Sequence, residues 1–532
     1  MINSNKRSFL FKIIYFISGF FSSLIAIKIE KNSNASNKKI LNEKEVLTLN
    51  LSEIPQIPWN NFEASIHVLE TFNFAVHGKL FLNSNLDNEI VIFKKIHYIN
   101  NFINITLNEN IYFHNNRNVN AYDIEFSLYR YLLNNKNDTT LSILQNIVGV
   151  ENRSYQNIKY ILIDHINYPS NYILGIKVID KYNLIFELKH NNLNFLEQIS
   201  DSKLPIVPIE ELKENYIEWK KFPVGFGKYK MIDADFKNHE FILEKVQYEK
   251  YKPKYIKFLF SSNHNSDINI LFSETNNINY KHIIFKDIYA NAGFLYNYQT
   301  ELGQNENFRT AISLAIDRNK IASKALFNEI IPEDQMLPEQ EPFKKYRSET
   351  PIQHKDIQKA RDLLSLVPSH LWQNKIFEVP TFCDTKDINS LSYMQEIKKQ
   401  LAEIGIHINF LETNIKYDKF KKNDKNILWF TGFSFSHRNP LKNFAYFKRG
   451  SYFSYEYPKD PQYELLYQKS YHDIHNSIEN IKKLSQYFTE KNLMTIIYNH
   501  CITASINTKK IAYIGKQKNG IQFQVSEIKF HI

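Results

Sequence analysis

The sequence predicts an α/β protein folded into two or three lobes, with helices covering its sheets. Three observations carry that reading. The chain has 532 residues, too many for one compact core. Hydrophobic residues make up 43% and charged residues 23%, a globular rather than a disordered balance. Strand-like and helix-like runs interleave from about residue 45 to the end, the pattern of sheets with helices packed on them.

Taken in order, the elements begin with strand-like EVLTLNL (45–51), EIVIF (89–93) and INITL (103–107). HNNRN then reads as a turn, and AYDIEFSLYRYLL sets Ile124, Leu128 and Tyr131 on one helical face. Asn120 stands at the N-cap of that helix, with Asp123 near the positive end of its dipole. KYILIDH, YILGIKVID and NLIFELK (159–188) read as strands, and NNLNFLEQI as a short helix. FILEKV and PKYIKFLF are further strands. NFRTAISLAIDRNKIASKAL (307–326) reads as one long helix, with others over 354–366 and 390–405 near the strand-like KIFEVPTF and HINFLE. Only 13 Gly serve the chain, so its turns are expected to use Asn, the next residue most tolerant of positive φ.

The N-terminus has its own logic. Lys6, Arg7 and Lys12 precede an apolar run from Ile13 to Ile27, closed by Lys28. A basic start and about 15 apolar residues make a secretory signal, and an uncleaved anchor stays open as the other reading. Residues 1–30 are assigned to that signal or anchor and 31–44 to a linker. The net charge is +10, but the basic residues are scattered among acids, so a solvated surface is expected and no nucleic-acid partner. Cys383 and Cys501 are the only cysteines; buried thiols are the simpler reading, with one disulfide open.

No catalytic template is met. GFSFS (432–436) lacks the last Gly of a nucleophile elbow. GFGKYK (225–230) lacks the third Gly of a dinucleotide turn. His472 and His475 on YHDIH are too few for a metal site, and His114, His264 and His500 read as turn or packing residues. The chain is expected not to be an enzyme and to carry neither metal nor cofactor.

FHNNRNVNAYDIEFSLYR (113–130) resembles the signature of the family 5 extracellular solute-binding proteins, roughly F-H-D-G-x-x-[hydrophobic]-T-A-x-D-V-x-F-S-x-x-R. Phe113, His114, Val119, Ala121, Asp123, Phe126, Ser127 and Arg130 match it, and Asn115-Asn116 replace Asp-Gly. Further stretches follow in the family's order: GIKVIDKYNLIFELKHNNLNFLEQI (175–199), LPIVP (204–208), PVGFGKYK (223–230), NENFRTAISLAIDRNKI (305–321) and QEIKKQLAEIGIHINFLE (395–412).

The resemblance implies a bilobal periplasmic-binding-protein fold of the peptide-binding type (class II). A first lobe at 45–290 would include a subdomain at about 85–222. The second lobe would be 291–490, and 491–532 would return to the first. It implies an exported, monomeric receptor that captures a peptide or peptide-like solute and delivers it to an inner-membrane ABC permease. The alternative is a membrane-tethered sensor or chaperone on the same fold. Asp123 and Arg130 are expected to be structural. The ligand segment would be ILWFTGFSFSHRNPLKNF (427–444), with Trp429, Phe433, Ser436, His437, Arg438 and Asn439 as candidate contacts. Dipeptide-binding members carry an Asp about four residues after the Gly, for the peptide's ammonium group. Ser436 stands there in this chain, and Asn439 at the second acidic position, which implies a ligand that is neutral or acidic near Arg438, or a longer peptide anchored elsewhere.

Overall fold

The computed structural model describes residues 41–50, 66–78, 92–134, 139–151, 159–170, 173–192, 195–199, 204–235, 238, 240–259, 266–270, 279–325, 329–341, 343–349, 354–381, 391–412, 426–435, 440–448, 460–472, 477–515 and 525–531. The chain divides into two compact units, Met1–Val46 and Leu47–Ile532. Of the first, a 3-10 turn at Glu43–Glu45 is capped by Asn42, whose side chain accepts from the Lys44 amide. The proposed signal or anchor at 1–30 lies outside the described residues. Among those described, no helix is long and apolar enough to cross a membrane.

In chain order the strands are β1 (Val46–Asn50), β2 (Phe93–Ile99), β3 (Phe102–Leu107), β4 (Lys159–Ile163), β5 (Ile166–Ser170), β6 (Ile176–Asp180), β7 (Asn183–Glu187), β8 (Tyr229–Asp235), β9 (Glu240–Lys245) and β10 (Tyr255–Leu259). They continue as β11 (Ile268–Ile270), β12 (Tyr280–Tyr296), β13 (Ile330–Pro332), β14 (Ile376–Thr381), β15 (His407–Glu412), β16 (Leu428–Thr431), β17 (Met494–Asn507), β18 (Ile511–Tyr513) and β19 (Lys529–Phe530). One large sheet runs β15-β14-β16-β12-β17-β11-β1-β10-β9-β8, with β13 also on β17. A four-stranded sheet, β2-β3-β7-β6, and the pairs β4-β5 and β18-β19 complete the set. Helix and strand alternate as the sequence predicts, and the molecule is mixed α/β.

Among the described residues four apolar cores form. The first gathers Leu49, Phe72, Leu243, Ile256, Ile268 and Ile506. The second lies between the four-stranded sheet and the helix Ala121–Asn134, around Ile105, Phe113, Ile124, Leu128 and Phe186. The third holds Phe294, Phe308, Ile397, Phe410, Phe430 and Ile497, and the fourth Ile288, Met336, Trp429, Phe433, Phe444 and Ile496.

The strands β12 and β17 link the first, third and fourth cores, and the sequence predicts neither. Ile283 packs against the first core, which also takes Ala504 and Ile506. Ala292, Phe294 and Tyr296 of β12 enter the third, with Ile497 and Tyr498 from β17. The two strands pair antiparallel from Tyr280↔Asn507 to Leu295↔Met494, and their register shifts between Ile284 and Ile288, between Ile288 and Ala290, and between Ala292 and Gly293. Such shifts bend and twist a strand.

Two further expectations are corrected. The long helix over 307–326 is two helices, Glu306–Ala315 and Arg318–Ala322. Ile316 and Asp317 are extended, and the Asp317 carboxylate accepts from the Lys320 amide: a side chain that caps the second helix ends the first. The strand expected over 89–93 runs instead from Phe93 to Ile99; 89–91 lie outside the described residues.

The turn at 113–120 follows the sequence reading closely. Asn116 has φ +68°, the left-handed conformation for which the related motif uses Gly. Asn120 accepts from the amides of Tyr122 and Asp123, and Asp123 accepts in return from the Asn120 amide at 2.9 Å, a reciprocal cap. The Asp123 carboxylate is fully buried and held by Arg117 through two bonds of 2.9 and 2.7 Å. Arg130 is buried and donates to the carbonyls of Tyr216 and Ile217. Both residues are thus spent inside the fold. GFGKYK serves packing rather than phosphate: a Cβ on Gly225 or Gly227 would stand 2.2 Å from the carbonyl oxygens of Val76 and Ala75. His114 fixes the same loop, its Nε2 lying 2.8 Å from the Gly227 carbonyl oxygen.

Candidate functional site

The candidate segment enters as β16, whose run of Leu428, Trp429 and Phe430 is buried on both faces, as suits a strand inside a sheet. It pairs antiparallel with β12, Leu295 facing Trp429 and Gly293 facing Thr431. The chain then leaves the strand at Gly432, where a Cβ would lie 1.8 Å from the Asn291 carbonyl oxygen. Only Gly permits that approach. Asn291 meets the next residue, Phe433, with two bonds, its backbone amide donating to the Phe433 carbonyl at 3.1 Å and its side-chain oxygen accepting from the Phe433 amide at 3.0 Å, while its side-chain NH₂ donates to the Met336 carbonyl at 3.1 Å.

Trp429 is enclosed in the fourth core. Phe433 is buried too, stacked on Tyr446 at 5.1 Å between ring centroids and edge-on to Phe447 at 5.7 Å. Phe435 lies 5.4 Å from Phe343. These aromatic contacts give the segment a rigid apolar floor. Ser436, His437, Arg438 and Asn439 lie outside the described residues.

A buried polar network stands on β17, the other neighbour of β12. Glu333, in the stretch after β13, accepts from both terminal nitrogens of Arg347 at 2.6 and 3.1 Å, from the Asn499 side chain at 3.1 Å and from the amides of Asp334 and Gln335 at 3.0 Å. Burial pushes its carboxyl above the ordinary range, against the pull of Arg347. Arg318 donates to the carbonyls of Glu333 and Ile496, and burial lowers its pKa. A carboxylate so fully bonded holds loops in place and has no lone pair aimed at a substrate. Sequence reasoning missed Asn291 and Glu333, whose partners Phe433 and Asn499 lie 142 and 166 residues along the chain, and with them Arg347.

The histidines keep to structure. His114 is in the turn described above, and His500 sits in β17 edge-on to Tyr498 at 4.8 Å, with burial lowering its pKa to about 4. His472 ends the helix Pro461–His472, while His264 and His475 lie outside the described residues. Cys501 is buried in β17, and Cys383 lies outside the described residues. Among the described residues no group of His, Cys, Asp or Glu could hold a metal ion.

A long strand pair shared between separate cores, with an aromatic-backed segment fastened to it, defines a protein of the bilobal periplasmic-binding-protein fold. The fold matches that of NikZ from Campylobacter jejuni in complex with Ni(L-His), with a TM-score of 0.71 at 15% identity over 92% of this chain and 100% of that one. It matches DppA from Helicobacter pylori in complex with the peptide STSA (0.70, 14%, 91% and 98%). It also matches OppA from Haemophilus influenzae in complex with RPPGFSPFR (0.70, 14%, 92% and 99%). No curated protein matches by sequence. Residues 100–455 match the profile of the bacterial extracellular solute-binding proteins, family 5 Middle, and the chain belongs to that family.

Proposed function

We propose that this chain is the exported receptor of an ABC importer, which closes two lobes over a peptide or peptide-like solute and delivers it to an inner-membrane permease. The observation that carries the reading is the β12–β17 pair: two strands shared by separate cores, interrupted by register shifts midway, suit a hinge between lobes. Family membership and the peptide ligands of DppA and OppA support the solute class.

The lobes we assign are 45–290 with a subdomain at about 85–222, then 291–490, with 491–532 returning to the first; a first core that takes Leu47, Ile268, Ala504 and Ile506, apart from a third that takes Phe294, Phe308, Ile397 and Phe430, supports a division into two lobes. The ligand segment is 427–444, with Trp429 and Phe433 as apolar wall and Ser436, His437, Arg438 and Asn439 as polar contacts. With Ser436 and Asn439 where related dipeptide receptors place carboxylates, a buried ammonium group would lack its partner, a costly arrangement. The solute is therefore neutral or anionic near Arg438, or a longer peptide held elsewhere. Catalysis has no place in this reading; the receptor acts as a monomer in the periplasm, released or tethered by residues 1–30.

Calorimetry with dipeptides, tetrapeptides and their N-acetylated forms tests the ligand chemistry. N-acetylation is expected to leave affinity within a few-fold; tight binding of free dipeptides that N-acetylation abolishes would overturn it.

A further inference from the structure

Two side-chain amides stand where the β12–β17 ladder breaks. From Ile284 to Ile288, β12 spends four residues while β17 moves two, from Thr503 to Cys501, and from Ile288 to Ala290 it spends two against one. Extra residues of that kind leave backbone groups without strand partners. Gln340 meets both groups of Ile288: its side-chain oxygen accepts from the Ile288 amide at 2.8 Å and its NH₂ donates to the Ile288 carbonyl at 3.1 Å. Three residues on, the Asn291 side chain, 1% exposed, reaches from β12 to two other segments, accepting from the Phe433 amide and donating to the Met336 carbonyl. Ala290 adds an antiparallel bridge to Ser434.

The bulged strand is therefore bonded to 336–340 and 433–434, stretches whose apolar residues Met336, Leu337, Phe433 and Phe435 all belong to the fourth core. Ile283, on the other side of the first shift, packs on the first core. We infer that Asn291 is a positioning residue for the candidate ligand segment: it fastens Gly432–Phe435 to the hinge strand, with Gln340 holding the neighbouring turn of that strand. The widest of the three shifts, Ile284–Ile288, lies on the first-core side of both anchors, so β12 is expected to bend there while its anchored part follows the segment. The residue type follows from the contacts, because a side chain of this length must both accept and donate. Asp would keep the acceptor and lose the donor, whereas Ala loses both. The inference rests on the proposed ligand segment, but it makes a claim that needs no ligand to test.

Hydrogen–deuterium exchange on the full chain, followed at the amides of Ile288, Phe433, Phe241 and Leu243, reads it directly. In the wild type the Ile288 and Phe433 amides are expected to be protected together. Asn291→Ala should speed exchange at Phe433 by about 10-fold or more while Phe241 and Leu243 in the first core stay unchanged. Asn291→Asp should keep Phe433 protected, since its carboxylate still accepts. Gln340→Ala should expose Ile288 and leave Phe433 protected, and Asn291→Ser, which shortens the side chain away from Phe433, decides the matter if Asn291→Ala fails to fold. Exchange rising at all four amides together, or Asp protecting Phe433 no better than Ala, would overturn the inference. Calorimetry with tetra-alanine on the same proteins judges the ligand segment separately: failure of the wild type to bind any peptide counts against the proposed function, while the exchange pattern alone decides the role of Asn291.

Discussion

Acid should unfold this protein through its buried histidines, and His77 shows how much each one contributes. His77 is 1% exposed and stacks on Trp219 at 5.7 Å between ring centroids. Burial lowers its pKa to about 3, with the nearby charges of His114 and Arg130 acting in the same direction. Burial also lowers His114 to about 4, against its bond to the Gly227 carbonyl, and His500 to about 4. An unfolded histidine titrates near 6.5. Each group therefore contributes stability that is present above about pH 6.5 and is lost as pH falls from there toward the folded value. At pH 5 an unfolded histidine is protonated about 30-fold over its neutral form while the buried one stays neutral, a difference of about 2 kcal/mol per group. The three together cost about 5 to 6 kcal/mol between pH 7 and pH 5, comparable with the whole stability of many folded proteins. Denaturant titration followed by tryptophan fluorescence at the two pH values measures the loss. His77→Phe keeps an aromatic stack on Trp219 and removes the titration, so its loss should be smaller by about 2 kcal/mol. Equal losses in wild type and variant, or no loss in the wild type, would refute the reasoning.

Other substitutions probe other parts of the fold. Gly432→Ala places a Cβ 1.8 Å from a backbone oxygen that cannot move freely; it should destabilise by about 3 kcal/mol, the upper end of overpacking, measured by the thermal midpoint. Arg117→Ala strands the fully buried Asp123 carboxylate and should cost about 3 kcal/mol or more. Lys at that position restores charge without the two-bonded fork and should recover only part. Arg309→Met leaves the carbonyls of Gly303, Gln304, Lys491 and Asn492 without their guanidinium donor, and should lower stability by about 3 kcal/mol in the same assay.

What the sequence made legible was local. The reciprocal cap of Asn120 and Asp123 spans four residues, and Asn116 takes its positive φ in a turn visible as HNNRN. The helices over 121–134, 357–365 and 392–402 show their apolar period directly. β12 and β17 escaped because their side chains serve several cores in turn: Ile283, Ile288 and Phe294 each face a different one, so no single alternation runs their length. The break at Asp317 was hidden by a helical apolar pattern that a side-chain cap overrides. The contacts of Asn291 reach 45 and 142 residues along the chain, to Met336 and Phe433, and no local pattern marks a pairing of that kind. The family resemblance proposes the ligand segment. The structure adds the strand that holds it, and the polar contacts at 436–439 stay a reading of the sequence.

The central claim is that this protein captures a peptide or peptide-like solute. Mass spectrometry of what the protein carries when purified under native conditions, and releases on denaturation, tests it most directly. The account predicts peptide or peptide-like species, one per chain, whose binding falls when Arg438 is replaced by Ala. A chain that carries nothing and, after unfolding and refolding, binds no member of a peptide library would contradict it.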